Sequence, residues 1–447
     1  MPLNKTRTYL TRQIDSKLSA WGDEKNRKPL LLRGARQVGK SYSVRNFARK
    51  FEHFIEINFE EKPEAAELFS GNLTPSHICE NISIYSGKPV IPGKTLLFLD
   101  EIQQCIPAIS SLRFFYEQMP DLHLIAAGSL LEFALEEIPS FGVGRIRSLF
   151  MYPFSFDEFL LSVNEHDLLH LKKNASAEKP IPQIFHNKLI EYFKKFLITG
   201  GMPEVVSEFI NKKEAAEIQM PLDDLLISFR NDFAKYRKRV ASSLLLEVFE
   251  AVARQTGGKF VYRKAVTDIH IKQIKEAVEL LVMAGLVLPA THSDANGIPL
   301  GAEVNHKKRK LFLLDSGLHQ RIAGLNLSDV ILNKDFNSIN KGSLSELFVA
   351  TEIVKYSDPF RQNNLYYWQR EVSGSNAEID FLAQDGEYIV PIEVKSSGSG
   401  SMQSMYAFLK EKKQPYGVRF SFENFSEVNN IRIFPIYAVS NFTNRIS

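Results

Sequence analysis

Gly34-Ala35-Arg36-Gln37-Val38-Gly39-Lys40-Ser41 follows the G-x-x-x-x-G-K-S pattern of a phosphate-binding loop, and no other stretch restricts the fold so tightly. The two glycines let the backbone curl so that its N–H groups point inward at a β-phosphate. Lys40 is placed to reach the β- and γ-phosphates, and Ser41 to set its hydroxyl on Mg²⁺. Such a loop requires a buried strand before it and a helix after it. Pro29-Leu30-Leu31-Leu32 supplies the apolar run, and Val44, Phe47, Ala48 and Phe51 recur at helical spacing. A helix N-terminus then lies under the phosphates, where its unpaired N–H groups and dipole favour anions. ATP with Mg²⁺ is the ligand this pattern predicts, with Gly34 to Ser41 forming the cradle.

The strand set continues with Phe54-Ile55-Glu56-Ile57-Asn58-Phe59 and Thr95-Leu96-Leu97-Phe98-Leu99-Asp100-Glu101. The second is apolar on both faces, as a parallel sheet requires, and ends in two acids, a Walker B pattern. Asp100 emerges where it can hold Mg²⁺ directly or through water, and Glu101 where it can orient or deprotonate the attacking water. His123-Leu124-Ile125-Ala126-Ala127 runs into Gly128-Ser129, so Ser129 is either a γ-phosphate sensor or a helix N-cap. Asn58 is a candidate to hold Glu101 away from water. In Gly142-Val143-Gly144-Arg145-Ile146-Arg147, Arg145 or Arg147 is a candidate arginine finger, in its own subunit or a neighbour's.

Composition sets the outer limits. The chain has 447 residues, 44% hydrophobic and 24% charged, which predicts two to four soluble domains. No apolar run approaches the roughly 20 residues of a membrane helix. Met1-Pro2-Leu3-Asn4-Lys5-Thr6-Arg7 has no signal-peptide apolar core. Only Cys79 and Cys105 are present, which suits a reducing cytoplasm. A net charge of +3 is too small to argue for nucleic acid by itself, so local clusters must carry that case.

Leu32 to Ser41, Phe98-Leu99-Asp100-Glu101-Ile102-Gln103, and Gly144-Arg145 through Tyr152-Pro153-Phe154-Ser155-Phe156 together resemble a family of prokaryotic AAA-type ATPases with a C-terminal restriction-endonuclease-like domain. The resemblance spans nearly the whole chain, in the family's order. It implies an α/β P-loop core over residues 1–160 and a helical lid over 161–240. A winged-helix-like domain would follow over 241–330, and an α/β endonuclease-like domain over 331–447. It also places Thr199-Gly200-Gly201-Met202-Pro203-Glu204 in the lid, near the nucleotide.

In the middle of the chain, Leu171-Lys172-Lys173-Asn174-Ala175-Ser176-Ala177-Glu178-Lys179-Pro180 reads as a loop or linker. From Leu244 to Leu314 the pattern is three helices and then two strands, Leu286-Val287-Leu288 and Lys310 to Leu314, the order of a winged helix. The connector Asn305-His306-Lys307-Lys308-Arg309-Lys310 is expected to be a basic wing tip, and Lys235-Tyr236-Arg237-Lys238-Arg239 is a second basic run. Both suit salt-sensitive, sequence-blind phosphate contacts, or equally a solvated face. Nucleic acid, with DNA favoured, is the expected partner; a protein partner and a homo-oligomer stay open.

In the last third, Leu344, Leu347, Phe348 and Thr351 mark a helix carrying Glu346. Ala377-Glu378-Ile379-Asp380-Phe381-Leu382 alternates, with Glu378 and Asp380 on one face. Asp385-Gly386 signals a hairpin turn, and the return strand ends Ile392-Glu393-Val394-Lys395. With Asp385 and Gly386 as turn residues, Asp380 falls opposite Pro391 and Glu378 opposite Glu393. This D…E-x-K arrangement is that of restriction-endonuclease-like enzymes. Asp380, Glu393 and Glu346 would hold Mg²⁺, and Lys395 would act on the attacking water or the phosphate. Three functions are compatible with these residues. One is an ATPase that gates a nuclease; another is a nucleotide switch that never cuts; the third is a protein-remodelling ATPase with an adaptor domain.

Overall fold

The computed structural model describes residues 9–129, 131–136, 144–212, 219–234, 240–324, 341–362, 364–370, 377–395 and 402–446. The chain divides into two compact units, residues 1–152 with 359–362, and residues 153–358 with 363–447.

The first unit is built on five parallel strands: β1 (Leu30–Arg33), β2 (His53–Asn58), β3 (Thr95–Asp100), β4 (His123–Ala127) and β5 (Arg147–Phe150). Their order across the sheet is β2-β3-β4-β1-β5. Every residue of β3 and β4 is buried, which is why both read as unbroken apolar runs rather than alternating ones. Helices Pro75–Ser86 and Ile106–Gln118 begin on a proline within the first turn, where a missing N–H costs no helical hydrogen bond. They send Ile78, Ile82, Ile109 and Leu112 onto Leu97, Leu99 and Leu124 of the sheet. Because β4 lies between β1 and β3, the tip of β4 falls between the turn that leaves β1 and the acids that end β3.

The second unit carries an eight-stranded mixed sheet. Its strands are β6 (Val287–Ser293), β7 (Val304–Leu313), β8 (Leu365–Gln369), β9 (Glu378–Asp385), β10 (Tyr388–Val394), β11 (Gly417–Ser421), β12 (Ser426–Val428) and β13 (Ile431–Pro435). The order is β12-β13-β11-β10-β9-β8-β6-β7. Helices surround it, and an aromatic cluster joins several of them. Phe156 meets Phe193, Phe196, Phe348 and Tyr437 at centroid distances of 5.7–6.4 Å. Phe156 opens a helix fixed by a capping box between Ser155 and Glu158. Its N–H donates to the buried Glu352 carboxylate at 3.0 Å.

Several expectations change here. Across the expected boundary at 330, β6 pairs with β8 in parallel, so the strands of the expected winged-helix segment and of the C-terminal segment form one sheet. Leu171-Lys172-Lys173 is not linker but the end of helix His166–Lys173. Lys172 is fully buried and pairs with Asp157 at 2.7 Å, a long-range partner that no local pattern reveals. Asn305 to Lys310 is not a hairpin tip. The connection between β6 and β7 runs through residues 294–303, and the register passes from His292↔Asn305 to Thr291↔Arg309, so residues 306–308 bulge out of the ladder. Gly200 and Gly201 pack within the second unit, where the Asp315 carboxylate accepts the Gly201 N–H at 2.6 Å. The basic run 235–239 lies outside the described residues. No helix among the described residues is long and apolar enough to cross a membrane.

Candidate functional site

The turn after β1 takes the shape its glycines require. Gly34 has φ +138°, and a Cβ there would stand 2.1 Å from the Met151 carbonyl oxygen, so only glycine fits. Gly39, at φ +98°, opens the helix Lys40–Phe47. Arg12, which the sequence did not single out, clamps this turn from outside. Its guanidinium donates to the Val38 carbonyl at 3.0 Å and to the Tyr152 carbonyl at 2.7 Å.

Lys40 is buried, and its ammonium donates to the carbonyls of Gly34 (2.9 Å) and Ala35 (2.8 Å), at the mouth of its own loop. Burial pulls it down to about 8, against the opposing pull of Glu101 and Asp100. Ser41 Oγ donates to Asp100 Oδ2 at 2.8 Å. The two groups expected to share Mg²⁺ are thus brought together from different elements, and a hydroxyl beside a carboxylate is the oxygen donor set that hard cation takes. Burial pushes Asp100 up to about 6, although the Ser41 hydrogen bond works the other way.

Asn58 does not hold Glu101. It stands abreast of Asp100 on the neighbouring parallel strand, and its amide lies 3.4 Å from Asp100 Oδ2. A strand's side chains alternate, so a group level with Asp100 faces away from the next residue. Glu101 is held instead by Gln103 Nε2 at 2.5 Å and Ser129 Oγ at 3.2 Å, both donating to Oε2. Glu101 sits in the left-handed region, φ +50°, which costs a non-glycine residue on the order of 1–2 kcal/mol. Gly128 makes room for the clasp, since a Cβ there would stand 2.1 Å from Gln103 Oε1. Arg145 pairs with Glu117 on the surface, and Arg147 with Glu24.

A second cluster lies in the other unit. The β9–β10 hairpin turns at Gly386-Glu387 rather than Asp385-Gly386, because Tyr388 pairs with Asp385 and Ile392 with Phe381. The shift is two residues, so the acids keep their shared face. Continuing the register puts Asp380 opposite Glu393, not Pro391. Asp380 Oδ2 accepts the Val394 N–H at 2.9 Å, and Lys395 Nζ is 3.5 Å from Glu393 Oε2. Lys310, read from the sequence as part of an exposed basic tip, is fully buried. Its ammonium lies 2.6 Å from Glu378, 3.4 Å from Glu346 and 3.4 Å from Asp380. Burial alone would pull this lysine down, but Asp380, Glu346 and Glu378 outweigh it and hold it above the usual lysine range. Burial, then the Asp380 charge, raises Glu346 despite Lys310. Burial raises Glu393 to about 7 despite Lys395. The acids therefore do not fit a divalent ion as they stand: among the described residues no group of three or more His, Cys, Asp or Glu could hold a metal.

Residues 26–160 match a family described as AAA domain. Residues 190–329 and 341–439 match two families described as domains of unknown function, DUF8612 and DUF4143. No curated protein matches the chain. Among solved structures, a Walker-type ATPase of Pyrococcus abyssi is similar at 15% identity and TM-score 0.46, over 70% of this chain and 96% of that one. The Aeropyrum pernix ORC1 protein, solved in complex with DNA, is similar at 12% identity and TM-score 0.30, over 74% and 97%. At these TM-scores neither likeness bears on the fold. The family match, the parallel sheet and the geometry around Lys40, Ser41 and Asp100 define the first unit as an AAA-type P-loop ATPase domain.

Proposed function

We propose that this protein is a Mg²⁺-dependent ATP hydrolase that couples nucleotide turnover to nucleic-acid binding through its second unit. The observation that carries the reading is the convergence of Lys40, Ser41, Asp100, Glu101 and Ser129 from three strand ends. Bound with ATP, Mg²⁺ would sit against Ser41 and Asp100 and neutralise phosphate charge. Lys40, released from its two carbonyls, adds a positive charge at the β- and γ-phosphates. Glu101, once free of Gln103 and Ser129, orients a water and accepts its proton. Replacing Lys40 with Ala is expected to abolish ATP binding. Glu101→Gln should keep binding within about twofold and lower kcat by about 10²–10⁴. Phosphate release together with nucleotide titration separates the two. A Glu101→Gln enzyme turning over at the native rate would remove Glu101 from the chemistry.

The nucleic-acid part rests on the segment before and within helix Ile271–Met283. Residues 259–275 contain Lys259, Arg263, Lys264, Lys272 and Lys275, all exposed, against a single acid, Asp268. Helix Ser242–Arg254, the bridge residue Lys259 paired with Lys310, helix Ile271–Met283 and the β6–β7 hairpin follow one another in winged-helix order. Four or five phosphate contacts from such a surface would weaken binding about 150- to 500-fold between 50 and 200 mM salt. Anisotropy with labelled duplex DNA tests this, comparing the native chain with Lys272→Glu/Lys275→Glu. Affinity indifferent to salt and to that pair would favour a protein partner.

The C-terminal residues support an endonuclease-like module. Helix Lys341–Tyr356, strands β8, β9 and β10, helix Gln403–Lys412 and the parallel strand β11 follow in that order. Glu346, Asp380, Glu393 and Lys395 gather along the middle strands. Such a module either cuts with a divalent ion or binds without cutting, and the ammonium of Lys310 among its acids favours binding without cutting.

A further inference from the structure

We infer that Lys310 is a tethered cation standing in for a divalent ion, so that this acid cluster is a latent metal centre held closed by a strand of its own unit. The inference rests on the endonuclease-like reading of β9 and β10. An ammonium has three N–H donors, and Lys310 faces three carboxylates: Glu378 at 2.6 Å, Glu346 at 3.4 Å and Asp380 at 3.4 Å. The three acids come from two separate elements, helix Lys341–Tyr356 and strand β9, and converge on one point where Lys310 is fully buried. The backbone fixes the lysine there. Lys310 lies in β7, opposite Ala290 of β6 and bridged to Lys259 on its other side, and its ammonium lies 5.5 Å from the centre of the Tyr367 ring. The three-residue bulge at 306–308 lies one residue before it, ahead of Arg309, and a bulge re-aims the side chains that follow.

A second observation is a carboxylate beside the cluster that the lysine leaves uncompensated. Glu393 is 2% exposed, yet its Oε2 accepts no hydrogen bond, and Lys395 stands off at 3.5 Å. A buried carboxylate oxygen without a hydrogen bond is costly unless something compensates it. Continuing the hairpin register puts this carboxylate opposite Asp380. A single monovalent ammonium therefore satisfies Glu346, Glu378 and Asp380 and leaves Glu393 short, whereas a divalent ion prefers six or more oxygens and would draw on all of them.

The test is Mn²⁺ binding to the full chain, without nucleotide and with Asp100→Asn to silence the phosphate loop, read from loss of the free-ion EPR signal. The parent is expected to show no Mn²⁺ site that depends on Asp380. Lys310→Met combined with Glu378→Gln removes one charge of each sign, so the interior keeps its balance and the fold is spared. That pair is expected to gain one Mn²⁺ site, lost again on adding Asp380→Asn, and to gain thermal stability with Mn²⁺ that the parent does not show. A parent that already binds Mn²⁺ through Asp380 would overturn the inference and leave the endonuclease-like reading standing. A folded Lys310→Met/Glu378→Gln chain that binds no Mn²⁺ would overturn the inference and leave a module that binds without a metal. If the pair fails to fold, Mn²⁺ binding by the parent, with and without Asp380→Asn, still decides the matter.

Discussion

Glu101 cannot act as a base while two donors occupy the oxygen that would take the proton, so the Gln103 clasp should set the basal rate. Gln103 Nε2 donates to Glu101 Oε2 at 2.5 Å, and Ser129 Oγ to the same oxygen at 3.2 Å. A hydrogen bond to a charged group is worth about 1.5–3 kcal/mol net. Because Glu101 is only partly buried, solvent replaces some of that, and the lower end applies. Releasing the carboxylate from Gln103 then removes about 1.4 kcal/mol from the activation barrier, a factor of about ten in rate. Leucine at 103 keeps the volume packed against Gly128 and takes away the donor. Phosphate release at saturating ATP, without nucleic acid, should rise about tenfold in Gln103→Leu while the affinity for a non-hydrolysable ATP analogue stays unchanged. Unchanged or lower turnover at unchanged affinity would refute the clasp and make Gln103 a residue that orients Glu101 for catalysis.

Two further outcomes concern stability. Lys172 is fully buried, with Asp157 at 2.7 Å and Ser440 Oγ at 2.6 Å. Lys172→Met takes the counter-ion from buried Asp157 and leaves it the Ser440 hydroxyl, so a loss of about 3–5 kcal/mol is expected as a lower denaturation midpoint, with partial recovery on adding Asp157→Leu. Burial holds His319 down at about 4, against the usual 6.5. Between pH 6.5 and 4 the unfolded chain binds a proton that the folded chain refuses. Stability should therefore fall as pH drops through that window, by up to about 3 kcal/mol. Comparing midpoints at pH 7 and pH 4.5 for the native chain and His319→Gln tests this; equal pH sensitivity in the two would remove His319 as the cause.

The nucleotide loop was legible because everything it needs is contiguous. A buried strand, a turn that demands glycine at two positions and a helix start all lie within residues 29–51, and each follows from local sterics and periodicity. Asp100 and Glu101 were legible for the same reason, as the end of an apolar strand. The acids of β9 and β10 kept their face even though the turn was misplaced, because a shift of two residues preserves the alternation. What the sequence could not supply was every contact set by packing between distant elements. Gln103 rather than Asn58 holds Glu101, because β2 runs level with Asp100 and side chains alternate along a strand. Arg12 reaches the phosphate loop across 26 residues of chain. Lys310 ends a visibly basic run, His306-Lys307-Lys308-Arg309-Lys310, and charge alone assigns the whole run to solvent. The local pattern determined which strands and turns exist, and only the tertiary structure decided which cation faces which acid, because a buried charge goes where its counter-charges are brought together.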